Sequence, residues 1–253
     1  MASVLNIAAY KFVHFEDPVA LRETLEAAAM QHQLKGTILL ASEGINLFLA
    51  GTASGIAEFL NHIRSDRRLQ DLPIKESWSE TVPFRKLRVR VKREIIRMNH
   101  PTIRPELGRA MAVDASTLKR WLDAGQDDRG RPLLMLDTRN DFEVVAGRFQ
   151  GARTLNIQKF SEFPQAVEQI RDELRDHAVV SYCTGGIRCE KAALFMNALG
   201  LTEHWQLEGG ILKYFETVGG AHFEGRCTVF DERRALTSDL AARATDPEIQ
   251  CKD

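Results

Sequence analysis

The sequence predicts an α/β protein in two parts: a small ferredoxin-like α+β sandwich over residues 1–97 and a parallel α/β sheet over residues 116–230. Three observations predict it. The first hundred residues alternate strand-like and helix-like runs in the order β-α-β-β-α-β. Residues 98–115 hold Pro101, Pro105 and Gly108 with little periodicity, which is the composition of a linker. From Ser116 onward, short apolar runs alternate with helical patterns, as crossovers between parallel strands require.

In the first part, Leu5 to Phe12 has the pattern of a strand. A helix is expected from Pro18 to Gln31, opening after Asp17 as N-cap. Residues 36–41 and 45–50 form two strands joined by Ser42-Glu43-Gly44. Thr52 or Ser54 caps a second helix that runs to about Arg64, and residues 87–96 form a further strand.

In the second part, residues 117–124 are helical and residues 132–137 form a buried strand. Residues 152–157 are expected as another strand and residues 164–175 as one helix. Then follow a strand at 178–182, a helix at 189–200 and a short strand at 204–207. Residues 231–253 read as a polar tail, in which Ala241-Ala242-Arg243-Ala244 offers at most a short helix.

Composition narrows the class. With 44% apolar and 27% charged residues the chain is globular rather than disordered. No run approaches the ~18 apolar residues of a membrane span, and Met1 to Asn6 lacks the basic flank and apolar core of a secretory leader. Four cysteines, Cys183, Cys189, Cys227 and Cys251, are too few for a disulfide framework, so a reducing, cytoplasmic location is expected. Residues 1–110 carry 16 Lys+Arg against 12 Asp+Glu, and residues 111–253 carry 18 against 23. The first part is therefore the better partner for a polyanion.

The chemistry concentrates in Cys183-Thr184-Gly185-Gly186-Ile187-Arg188-Cys189, which lies between an apolar run and a helical one. A cysteine is thus expected where a buried strand ends and a helix begins, the usual ligand-binding edge of a parallel sheet. Loop N–H groups, the helix dipole and Arg188 would all favour its thiolate. Four residues separate Cys183 from Arg188, one fewer than in the loop with which cysteine phosphatases encircle a phosphate. The smaller ring suits a single added sulfur atom, with Gly185 and Gly186 turning N–H groups toward it. The expected site is therefore Cys183, Arg188 and Cys189 as catalytic residues, with Thr184, Gly185, Gly186 and Ile187 lining the loop. Cys189 is placed either to resolve a sulfur adduct on Cys183 as a disulfide or simply to pack on the sheet.

Two further runs carry a resemblance. Leu136-Asp137-Thr138-Arg139-Asn140-Asp141-Phe142-Glu143 with residues 147–152 resembles the opening signature of rhodanese domains. Leu207-Glu208-Gly209-Gly210-Ile211-Leu212 with Tyr214 resembles their closing signature. The likeness implies a rhodanese-like domain in which Cys183 carries a persulfide and Asp137 and Arg139 brace the site. With Ala41-Ser42-Glu43-Gly44-Ile45-Asn46 and Val229-Phe230-Asp231-Glu232-Arg233, the chain resembles the bacterial tRNA uridine-34 hydroxylase family over about residues 4–235. That resemblance implies a ferredoxin-like (acylphosphatase-like) first domain, oxygen-dependent 5-hydroxylation of the wobble uridine, tRNA as partner and molecular oxygen as co-substrate. The alternative activity is a sulfurtransferase passing sulfur from thiosulfate or a persulfide through Cys183. Whether Cys183 works as a persulfide or attacks uracil directly stays open.

Residues 85–93 alternate charge and apolar character. Strand periodicity puts Leu87, Val89 and Val91 toward the core and aligns Lys86, Arg88, Arg90 and Lys92 as a phosphate-contacting row, with Phe84 and Trp78 near enough in sequence to stack on bases. No metal or cofactor site is expected. His14-Phe15-Glu16 and His222-Phe223-Glu224 each lack the third ligand of a facial triad. Residues 50–55 lack the lysine of a P-loop. Cys227 reads as a packed apolar residue and Cys251 as an exposed terminal thiol; with two cysteines outside the loop, no four-ligand zinc pattern is present.

Overall fold

In the computed structural model, which describes residues 4–241, the chain divides into two units. One takes the residues up to Arg97 together with Pro105–Leu107, the other Met98–Arg104 and the chain from Gly108 on. Cys251 and residues 242–244 lie outside the described residues.

The first unit is a five-stranded sheet of β1 (Val4–Phe12), β2 (Lys35–Ala41), β3 (Gly44–Gly51), β4 (Ile74–Ser79) and β5 (Leu87–Val91), in the order β4-β1-β3-β2-β5. Helices α1 (Pro18–Gln31) and α2 (Ala53–Arg64) join it. Period-two alternation sends Leu5, Ile7, Ile38, Leu40, Leu47 and Leu49 into a core with Leu25, Ile56, Phe59 and Ile63 of the helices. Asp17 caps α1 through the N–H groups of Val19 and Ala20, and Thr52 caps α2 through that of Gly55.

The expected β-α-β-β-α-β order holds with one reassignment. The strand that completes it is β4, antiparallel to β1, whereas β5 is an additional edge strand parallel to β2. β5 also ends at Val91, short of the expected 96. Its Val89 is buried, but Val91, expected on the core face, is 36% exposed because the strand stops there at the sheet margin.

The second unit centres on a parallel sheet of β6 (Ala112–Val113), β7 (Leu133–Asp137), β9 (Ala178–Tyr182) and β10 (His204–Leu207), in the order β6-β10-β9-β7. β6 falls within the stretch expected as linker. Helix α3 (Ala115–Ala124) starts on an Asp114 cap and stops at Gly125, whose φ of 68° favours glycine. Helix α4 (Asp141–Ala146) and strand β8 (Gly147–Phe149) follow β7.

Residues 152–157 do not form the expected strand. One parallel bridge joins Arg153 to Leu136, and Asn156 then turns to a φ of 52°, ending the extended run. The expected helix at 164–175 is two helices, α5 (Phe163–Gln169) and α6 (Arg171–Arg175), because Ile170 leaves helical geometry. Beyond β9 come α7 (Ile187–Ala198), β10, α8 (Gly210–Val218), β11 (Phe223–Gly225), β12 (Cys227–Thr228) and β13 (Ala235–Leu236). β12 and β13 pair antiparallel, and Ala235 and Leu236 are buried, so the described start of the expected polar tail is packed structure. β9 is buried along its whole length, and it delivers the next residue, Cys183, to the carboxyl edge of the sheet.

Candidate active site

Cys183 stands between β9 and α7, as expected, but it is not exposed: its relative accessibility is 0%. Gly186, at a φ of 97°, opens α7 and donates its N–H to the Cys183 Sγ at 3.1 Å. Burial alone would raise the thiol. It is outweighed by a hydrogen bond from Cys189, by the charge of Arg188 and by the backbone N–H groups of Arg188 and Gly186, so Cys183 is pushed down to about 5. Cys189 is itself fully buried, lies 3.7 Å from the Thr138 hydroxyl, and is pushed well up by burial and by the neighbouring Cys183. The expected pair is therefore brought together as one thiolate and one thiol, unlinked.

The loop is clasped from the far side. Ile211 and Leu212, in the first turn of α8, donate their N–H groups to the carbonyls of Cys183 and Thr184 at 3.0 and 3.1 Å. Gly210, at a φ of 68°, lies so close that a Cβ there would sit 2.4 Å from the Cys183 carbonyl oxygen. Gly210 thus serves the cysteine loop directly, and Gly209 caps α8.

Arg188 is buried, and both its terminal nitrogens bind Glu143, at 2.6 Å to Oε2 and 2.7 Å to Oε1. Glu143 also accepts the N–H of Asn140 at 3.2 Å and the hydroxyl of Thr184 at 3.4 Å. Burial disfavours the Glu143 carboxylate, but Arg188 more than compensates and holds its pKa below the usual range. The side chain of Arg188 reaches the Cys183 sulfur as well. Sequence reasoning does not single out Glu143. The one signal for it is its place three residues after Asn140, the spacing of a capping box at the start of a helix.

Asp137 and Arg139 form a fully buried pair, with Arg139 Nη2 2.6 Å from Asp137 Oδ2. Arg139 continues to the Gly147 carbonyl at 2.7 Å. The pair ties the end of β7 to the start of β8, and neither residue donates to the Cys183 sulfur. Ile187 is nearly buried in the first turn of α7. Thr184 points away from the sulfur, to Glu143 and to the Thr228 carbonyl at 3.2 Å. Cys227 is buried beside Thr184, and burial pushes its thiol up to about 12. It is a neutral neighbour of the loop.

In the first unit, Lys86, Arg88, Arg90 and Lys92 are exposed, but only Arg88 and Arg90 lie on β5. They pair in register with Thr37 and Leu39 of β2, on the face opposite Val89. Trp78 is exposed and Phe84 half-buried. Among the described residues no cluster of three His, Cys, Asp or Glu side chains is disposed to hold a metal ion. His222 instead pairs with Asp123 at 2.7 Å.

A four-stranded parallel sheet with a thiolate-stabilising loop at its carboxyl edge, clasped by α8, defines a rhodanese-like domain. A family model for the rhodanese-like domain matches residues 114–217, and one for the UPF0176 acylphosphatase-like domain matches residues 4–95. The chain is 60% identical over 96% of its length to the whole of a tRNA uridine(34) hydroxylase of Bordetella pertussis. It is 59% identical to the Delftia acidovorans protein of that name, covering 95% of this chain and 92% of that one, and 58% identical to the Variovorax paradoxus protein, covering 100% and 96%. The chain belongs to the tRNA uridine(34) hydroxylase family.

Proposed function

We propose that this chain is a tRNA-modifying enzyme that hydroxylates the uridine at position 34 at its C5 atom, with Cys183 as the central reactive group and molecular oxygen as co-substrate. The observation that carries the reading is the Cys183 thiolate, held at the strand–helix junction by Gly186, Arg188 and Cys189, in a chain so similar over its full length to proteins named for this activity. The exposed cations of β5 and its flanks are proposed to meet the tRNA backbone, since phosphate neutralisation supplies most sequence-independent affinity. Among the described residues no helix is long and apolar enough to cross a membrane, and a tRNA substrate suits a cytoplasmic enzyme.

Deleting the gene and mapping wobble uridines by mass spectrometry tests the reading. The 5-hydroxy group is expected to disappear and to return with the wild-type gene. Its persistence in a strain without a second route to the group would overturn the assignment.

A further inference from the structure

The hairpin of β12 and β13 carries Val229-Phe230-Asp231-Glu232-Arg233-Arg234 at its tip. The tip is braced from within. Val229 donates its N–H to the Arg234 carbonyl at 2.8 Å, and Arg234 donates to the Asp231 carbonyl at 3.0 Å. Asp231 takes the Arg233 N–H at 2.9 Å and the Arg233 guanidinium at 2.6 Å. The base of the hairpin is tied to the cysteine loop, because the Thr228 carbonyl accepts the Thr184 hydroxyl. Phe230 is thereby held in one place, 50% exposed, with its ring centroid 5.9 Å from the Arg188 guanidinium carbon. Arg188 in turn adjoins Cys183.

The neighbouring element is built alike. Helix α4, which carries Glu143 inward to Arg188 and packs against β12, turns Phe142 and Val145 outward, the latter 85% exposed. Phe230, Phe142 and Val145 are thus exposed on the two elements that flank the buried Arg188–Glu143 pair. The half-exposed aromatic face of Phe230 suits a flat heterocycle, because any base can stack on it. The sulfur has no accessible surface, so a base reacting there has to leave its own stack and be received by the protein.

Resting on the tRNA reading above, we propose that Phe230 is the stacking platform for the extruded target uracil, holding it beside Arg188 and the Cys183 loop. The ligand is an unpaired pyrimidine base of RNA. Glu143 and Asp231 act beneath it as positioning residues, one for Arg188 and one for the hairpin tip.

A double-mutant cycle on the full chain tests this, with an anticodon stem-loop RNA bearing either uridine or an abasic nucleotide at position 34. Wild type is expected to bind the abasic RNA about 5- to 150-fold more weakly, the equivalent of ~1–3 kcal/mol of stacking. Phe230→Ala should bind the uridine RNA as weakly as wild type binds the abasic one, and lose little more when the base is removed. Phe230→Trp should restore the discrimination. If Phe230→Ala loses as much to base removal as wild type does, the two changes are independent and the platform is overturned. Failure of wild type to bind either RNA would instead count against the tRNA reading itself, and the platform with it.

Discussion

The carboxylate of Glu143 grips the guanidinium of Arg188 through two hydrogen bonds of 2.6 and 2.7 Å, and neither side chain has more than 5% of its surface accessible. The grip keeps the guanidinium fixed beside Cys183, where its charge favours the thiolate. Replacing Arg188 with Ala is expected to raise the Cys183 pKa from about 5 toward the ordinary thiol range. The thiolate absorbance of a Cys227→Ala, Cys251→Ala background, in which Cys189 is kept and titrates well above Cys183, reads this shift directly when followed with pH. An unmoved midpoint would remove Arg188 from the electrostatics of the site.

Breaking the same pair from the other side tests its energetics. Glu143→Ala leaves a buried guanidinium without its partner, which typically costs about 3–5 kcal/mol. Urea unfolding should show the loss as a lower midpoint with an unchanged slope. Asp137→Ala should behave alike, since Arg139 is fully enclosed.

Cys183 should titrate on the acid side of neutrality. Its thiolate dominates above about 5 and is lost as pH falls through that value, so modification by the wild-type enzyme should be flat near neutrality and decline below it. Cys189→Ala removes one hydrogen bond to the sulfur and should move the decline to higher pH, while Cys189→Ser, which keeps a donor, should move it less. Identical acid limbs for all three proteins would mean that Cys189 does not support the thiolate.

Charge reversal on β5 addresses the RNA surface. Arg88→Glu with Arg90→Glu should weaken tRNA binding and flatten the dependence of log K on log salt, by about 0.7–0.9 for each phosphate no longer neutralised. A filter-binding series across salt concentrations measures both. A curve that is weaker but equally steep would place the phosphate-binding groups elsewhere.

The cysteine loop was legible because its chemistry is local. Strand end, glycines, helix start and arginine all fall within Cys183 to Arg188, and short-range geometry put Gly186 on the sulfur. The burial of that sulfur was not legible, because α8 closes over the loop from residues far along the chain. Glu143 was hidden for the same reason: it meets Arg188 across 45 positions, and in sequence it is one acidic residue among many. Strand β4 was hidden because an edge strand with only Ile74 and Trp78 apolar gives no alternation to detect. Residues 152–157 misled in the opposite sense: their extended, apolar pattern is real, but the left-handed turn at Asn156 leaves one bridge where a strand was expected.

The most direct test of the central role of Cys183 is nucleoside mass spectrometry of position 34 in tRNA from a host with no other route to the hydroxyl group, carrying either the wild-type gene or Cys183→Ser. The serine variant keeps the loop and its backbone hydrogen bonds but cannot form a thiolate. 5-Hydroxyuridine is expected with the wild-type gene and absent with Cys183→Ser expressed at equal level. An equal amount of the modified nucleoside with both genes would contradict the account.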